Sequence, residues 1–456
     1  MQQLDQLIEN FASFAWGLPL LILLIGGGIY LLILSKFLPF RFFGHAIQVL
    51  RGKYDDPNDP GEISHFKALT TALSSTIGMG NIAGVALAIA VGGPGAIFWM
   101  WISAIVGMST KFFTCTLAVL FRGKDSDGQL QGGPMYFIVE GLGKNWKPLA
   151  IMFSLFGMLG ALPVVNVNQL KQAINDIILI PNGVEVSFSS NLIIAIILVL
   201  VTSVVVLGGL KRISNIASKM VPSMVILYFV LVLIILGINY EAVPKYFVLI
   251  FTDAFAANNF SGEQFLGGVL GALVLLGIRR GAFSNEAGIG TAPMAHGAAK
   301  TDEPVREGLV AMLGPAIDTL IVCTLTALAI LVTGVWETTS NNGVTLTASA
   351  FNDAFPEIGS YLLMVCVFVF SISSLFSYSY YGTKCMSFVF GAHNKHYYNY
   401  FYILSIILAA TTSFEMMINF IDGVFALMAF PTMIATIILA PIVIKEIKKY
   451  IKSNMT

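Results

Sequence analysis

Ser74-Ser75-Thr76-Ile77-Gly78-Met79-Gly80-Asn81-Ile82-Ala83-Gly84-Val85 lies inside a segment otherwise apolar enough to cross a membrane. Gly78, Gly80 and Gly84 each weaken a helix by roughly 1 kcal/mol relative to alanine. Asn81 at that depth must find a hydrogen-bond partner. Backbone that leaves the helix inside a bilayer is tolerated only where protein buries it or where it lines a cavity. The stretch therefore predicts a broken helix that holds a small ligand and an ion. Gly80-x-x-x-Gly84 alone reads more readily as a helix-packing face. Gly78 and Asn81 in the same turn, with the hydroxyls of Ser74, Ser75 and Thr76 before it, favour the ligand. A break exposes unpaired N–H groups on one half and C=O groups on the other. The first suit a carboxylate and the second a cation.

The rest of the chain supplies the membrane. Of 456 residues, 56% are hydrophobic and 11% charged, against about 25% charged in soluble domains, and mean hydropathy is +0.82. The expectation is an all-α polytopic membrane protein embedded in a lipid bilayer. Lys+Arg and Asp+Glu stand at 25 each, and no basic cluster of the kind that nucleic acid requires is present. Cys115, Cys323, Cys366 and Cys385 lie in apolar segments without disulfide or metal spacing, and read as small buried hydrophobes. Met1 to Ser13 has no Lys or Arg, so the first apolar run reads as a true span and not a signal peptide.

Apolar runs of about 20 residues predict eleven spans: 14–35, 66–91, 95–121, 149–175, 190–208, 216–238, 264–297, 307–334, 360–388, 399–414 and 421–444. Connections on one side, with the C-terminal tail, carry 18 Lys and Arg against Lys245 alone on the other; the remaining six lie in spans. That unbroken alternation predicts an N-terminus outside and a cytoplasmic C-terminus. Phe40 to Leu50 reads as a cytoplasmic interfacial helix, Gly92-Gly93-Pro94-Gly95 as a tight outer turn, and Asp125 to Gly133 as a polar cytoplasmic loop.

Asn81-Ile82-Ala83-Gly84-Val85 is echoed by Asn285-Glu286-Ala287-Gly288-Ile289, and Cys115-Thr116-Leu117 by Cys323-Thr324-Leu325, at separations of 204 and 208 residues. Five spans separate the echoes, so they run in opposite directions. An inverted repeat of five plus five places interrupted helices around a midplane site. The division expected is 1–65 for an N-terminal and an interfacial helix, 66–240 for the first repeat and 241–456 for the second, within one transmembrane domain. The seventh span agrees. Its clean part, Phe265 to Ile278, makes about 21 Å of helix, too short to cross, and is followed by Arg279, Arg280, Gly281, Asn285 and Glu286. Either the helix ends at Arg279 or this is the second broken helix.

Other candidates carry alternatives. Ser371, Ser373, Ser374 and Ser377 in span nine bond back to their own helix or supply oxygen to a hard cation, while Ser374 and Tyr378 share one face. Pro163 should kink span four. Gln169 there is either a substrate contact or a helix–helix bond. Asp318 and Glu286 are functional candidates at membrane depth, or partners of Arg279, Arg280 or Lys111. His45, His65, His296, His393 and His396 fall near the cytoplasmic face without a shared ligand set. No nucleophile–base pair or metal set points to an intramembrane enzyme, no phosphate loop points to ATP drive, and the internal repeat favours a carrier over a channel.

Gly78-Met79-Gly80-Asn81-Ile82-Ala83-Gly84-Val85, Gly92-Gly93-Pro94-Gly95, Gly132-Gly133-Pro134-Met135-Tyr136, Arg280-Gly281-Ala282-Phe283-Ser284-Asn285-Glu286-Ala287-Gly288 and Tyr380-Tyr381-Gly382 together resemble the alanine/glycine:cation symporter family over most of the chain. The resemblance implies a prokaryotic plasma-membrane carrier of the leucine-transporter fold. It implies symport of alanine, glycine or a similar small neutral amino acid with sodium, with proton-coupled and glutamine-type carriers as the alternative, and no cofactor beyond the coupling ion. No obligate protein partner is implied. It places substrate contacts on Thr76, Gly78, Asn81, Gln169, Ile278, Ser374 and Tyr378, with the Met79 and Gly80 amides for the carboxylate. It places sodium between the Ser74 and Ile77 carbonyls and the Ser373 and Ser374 hydroxyls. Tyr378 stands where the family pattern has tryptophan, and Thr383 where it often has an acid, so selectivity is expected to turn on Tyr378.

Overall fold

The computed structural model describes residues 2–256, 269–339, 343–412 and 414–454. The helices that build the bundle are α1 (Gln2–Ala15), α2 (Leu18–Leu34), α3 (Phe43–Leu50), α4 (His65–Thr76), α5 (Gly80–Gly92), α6 (Gly95–Leu120), α7 (Pro134–Leu142), α8 (Lys147–Gly160), α9 (Val164–Ile174), α10 (Phe188–Val206), α11 (Gly209–Ile238), α12 (Val243–Ala254), α13 (Val269–Asn285), α14 (Ala292–His296), α15 (Pro304–Val332), α16 (Gly343–Ala354), α17 (Gly359–Phe390), α18 (Lys395–Thr411) and α19 (Phe414–Asn454). Seven described helices are long and apolar enough to span, and nine when the bent pairs α1–α2 and α4–α5 each count once. With α13 and α18, each showing 17 residues, the set is consistent with eleven. The start of the expected seventh span, 264–268, lies outside the described residues.

Chain chemistry explains the breaks. Pro163 lacks an amide and stops the fourth span, so α8 ends at Gly160 and α9 restarts at Val164. Helix α13 does not end at Arg279. It runs through Arg279, Arg280 and Gly281 to Asn285, because the two guanidiniums find an acid partner on α19. The interruption falls later, over Glu286 to Thr291, where Glu286, Gly288 and Gly290 have φ of 53°, 86° and 108°.

Polarity is turned inside out relative to a soluble domain. Ile193, Ile196, Leu200 and Val204 of α10 are exposed, while Asp318, Glu286, Lys111 and Asn81 are buried. The connections rich in Lys and Arg meet on one face. Ile63 bridges to Ala299, the Ala392 amide donates to Ser126 at 2.8 Å, and Lys67 reaches Asn215 at 2.6 Å. Arg122 donates to the carbonyls of Gly297, Ala299, Thr301 and Pro60. Burial pulls that guanidinium down from its ordinary value, against the pull of Glu307. The polar loop after α6 closes as a short ribbon, β1 (Gly123–Lys124) against β2 (Leu130–Gln131). On the opposite face Asp253 accepts the Gly95 amide at 2.7 Å. A Cβ at Gly92, the end of α5, would meet Leu273 and Leu276 of α13, and one at Gly80, its start, would meet Phe283 and Ser284, so the two broken helices lie antiparallel.

Candidate functional site

The first break is held open by side chains that take over lost backbone bonds. At Ile77 ψ turns to 89°, and α5 leaves at 54° to α4. The Gly78 amide, which a continuing helix would give to Ser74, donates instead to Asn81 Oδ1 at 3.0 Å. The Met79 amide donates to Asn166 Oδ1 on α9 at 3.3 Å. Asn81 Nδ2 donates to the Asp318 carboxylate at 2.7 Å and to the Asp318 carbonyl at 3.1 Å. That carbonyl lies at a widened π turn of α15, Ala316–Cys323, where the regular helical ladder is interrupted. Ser284 and Thr319 each donate to Asp318 Oδ2 at 2.7 Å.

The second break uses the same device. Asn285 Oδ1 accepts the Ala287 amide at 3.0 Å, and its Nδ2 donates to Thr319 Oγ1 at 3.1 Å. The two echoed asparagines thus cap their own breaks and converge on adjacent residues of α15. Glu286 accepts from Tyr378 and Thr291.

A small cavity of about 20 Å³ lies at the first break, walled by Ser75, Thr76, Gly78, Met79 and Gly80, by Gly160, Leu162, Val165 and Asn166, by Phe283 and Tyr378, and by Ile421 and Phe425. Among the substrate contacts expected, Thr76, Gly78, Met79, Gly80 and Tyr378 line it. Asn81, Gln169 and Ile278 do not. Asn81 is committed to Gly78 and Asp318. Gln169 is one helical turn beyond Asn166, about 4.5 Å along the axis, and accepts the Val344 amide of α16 at 3.4 Å. Ile278 lies five residues before Phe283, with its carbonyl 3.5 Å from Ser103. Ser374 is not part of the wall, but its Oγ lies 2.6 Å from where a Gly78 Cβ would be.

Of the residues expected around the cation, Ser74 meets Ser373 directly. Ser74 Oγ donates to the Ser373 carbonyl at 2.7 Å. Ser373 and Ser374 both donate to the Phe370 carbonyl, at 2.9 and 3.1 Å, which leaves their oxygen lone pairs available. The Ile77 carbonyl belongs to a residue that has left the helix.

Closures flank the cavity. On the face opposite the basic one, Arg279 and Arg280 converge on Asp422 Oδ2 at 2.6 and 2.7 Å, and Phe283 packs on Phe425 with centroids 5.8 Å apart. Toward the basic face, Tyr381 and Ser75 share a hydrogen bond of 3.0 Å. Farther on, Glu307 accepts from His65 with one oxygen and from His296 with the other. The histidines expected to lie apart therefore include one pair joined by a carboxylate. Asp422 is a participant that sequence reasoning missed, although an acid within an apolar run is itself a signal. Among the described residues no group of three or more His, Cys, Asp or Glu is placed to hold a metal ion.

Comparison with known proteins agrees with this geometry. Residues 1–456 match the sodium:alanine symporter family. An uncharacterized transporter of Haemophilus influenzae is 40% identical, covering 98% of this chain and 96% of that protein. The sodium/alanine symporter AgcS of Methanococcus maripaludis is 38% identical, covering 97% and 96%. The solved structure of MhsT in complex with L-phenylalanine superposes with a TM-score of 0.58 at 14% identity, over 84% of this chain and 98% of that one, which identifies the leucine-transporter type of fold with its inverted five-helix repeats.

Proposed function

Because this chain belongs to the sodium:alanine symporter family, a family of transporters and not of enzymes, we propose that it imports alanine, glycine or a similar small neutral amino acid together with sodium. The observation that carries the reading is the meeting of the Gly78–Gly80 break and Asn166 on one small cavity, with Ser374 packed beside Gly78. Its volume, about 20 Å³, is little more than one water requires, so any amino acid must displace the wall on entering, and a small side chain displaces it least. The substrate carboxylate takes the Met79 and Gly80 amides once Asn166 yields. Sodium takes the Ser74 and Ile77 carbonyls with the Ser373 and Ser374 hydroxyls. Tyr378 presents its ring to the cavity and gives its hydroxyl to Glu286, so it sets size more than polarity. The basic face is cytoplasmic in a prokaryotic plasma membrane, with the N-terminus outside. Residues 66–240 and 241–456 form the two repeats, and alternating access opens the closures in turn.

Uptake of labelled alanine, glycine and glutamine into proteoliposomes tests this. At least one is expected to accumulate only with an inward sodium gradient. Uptake indifferent to sodium, or none of the three taken up, overturns the reading. Glu286, bonded to a residue of the cavity wall, supports proton coupling as a second reading, and accumulation driven by a pH gradient without sodium selects it.

A further inference from the structure

A second cavity, of about 350 Å³, opens on the basic face. It shares helix α17 with the central one. Tyr378 walls the central cavity, and Tyr380, Lys384 and Ser387 line this one. Lys384 stands six residues beyond Tyr378, about 9 Å along the helix, and the Tyr381–Ser75 bond lies between.

Its lining is built and incompletely satisfied. Lys384 is buried and donates to the Gly132 and Met294 carbonyls at 3.0 Å each, leaving one of its three donors without a partner among the described residues. Tyr380 is 9% exposed. The buried atoms Tyr380 Oη, Ser387 Oγ and Asn399 Oδ1 have no hydrogen-bond partner among the described residues, and all three residues line this cavity. Buried polar atoms are ordinarily paired. Turned toward the cavity, these donors would take an anionic acceptor, and Asn399 Oδ1 would take a donor. Lys384 and Lys395 are balanced by Glu62 and Asp125, so a ligand bearing both charges fits better than a simple anion.

We propose that this cavity is a second amino-acid station, which takes the zwitterion by its carboxylate as it leaves the central cavity for the cytoplasm. The proposal rests on the reading that the chain carries amino acids. Tyr380→Phe with Ser387→Ala removes two hydroxyls that have no partner among the described residues, so no described hydrogen bond is lost and the melting temperature is expected to stay unchanged.

Equilibrium binding of labelled alanine, glycine and glutamine to the purified full chain in saturating sodium is the test. Two equivalents of the accepted amino acid are expected for the parent protein, and a loss of at least about tenfold in affinity for one of them in the double variant. Gly78→Val is expected to retain that equivalent and lose the other. One equivalent in the parent, unaffected by the double variant and abolished by Gly78→Val, overturns the second station and leaves the proposed function standing. No sodium-dependent binding of any of the three to the parent protein overturns both.

Discussion

Gly78→Val is expected to lower sodium-driven uptake by at least about 100-fold, the equivalent of roughly 3 kcal/mol, in protein that still inserts and purifies as a single species. A Cβ at Gly78 would lie 2.6 Å from Ser374 Oγ and 3.0 Å from Asn166 Oδ1. Both atoms belong to the proposed site, one to the ion and one to the carboxylate half. Alanine at the same position separates the roles. Ser374 can rotate away from a single methyl, but its oxygen then leaves the cation. Gly78→Ala is therefore expected to raise the half-saturating sodium concentration by about tenfold, the effect of one lost oxygen contact. Uptake measured against sodium concentration reads this directly. An unchanged sodium dependence in Gly78→Ala removes Ser374 from the ion site.

Asp422→Ala is expected to have the largest effect on stability. The carboxylate answers two guanidiniums, with Arg279 Nε at 2.8 Å and Arg280 Nη2 at 2.7 Å on Oδ2. Oδ1 and two nitrogens of Arg280 have no hydrogen-bond partner among the described residues. Removing one member of a buried ion pair costs about 3–5 kcal/mol, because the charge left behind is uncompensated. Here two cations are left. Replacing all three together, Arg279→Met, Arg280→Met and Asp422→Leu, exchanges charge for packing and is expected to cost far less than Asp422→Ala alone. Thermal unfolding in detergent compares the two. Equal stability of Asp422→Ala and the parent would show that the arginines have another anion.

Local chemistry was legible in the chain, and long-range direction was not. Gly78, Gly80 and Asn81 announced a break because each is costly in a membrane helix, and the break is there. The echo at Asn285 announced its antiparallel counterpart. An end at Arg279 stayed open as the alternative because Arg279 and Arg280 look intolerable in a span until Asp422 is placed beside them, and 142 residues separate Arg280 from that acid. Asn166 and Gln169 carry similar amides one turn apart. Which of them reaches the cavity depends on where Pro163 restarts the helix and on α16 docking beside Gln169, and neither is written locally. His65 and His296 meet through Glu307 for the same reason: sequence distance hides their shared face.

The two asparagines that cap the breaks have a mechanical consequence. Asn81 and Asn285 donate to Asp318 and Thr319, consecutive residues of one helix. A force applied to either broken helix is delivered to the same turn of α15, as through a yoke. Tilting one break while the other stays still would tear a bond from a buried donor. Motion that opens the cavity must therefore carry α4–α5, the turn after α13 and the middle of α15 as one stiff piece. The slippage falls instead on the contact with α17, where Ser74, Ser75 and Glu286 meet Ser373, Tyr381 and Tyr378 through one hydrogen bond each and a bound cation would act as the removable pin.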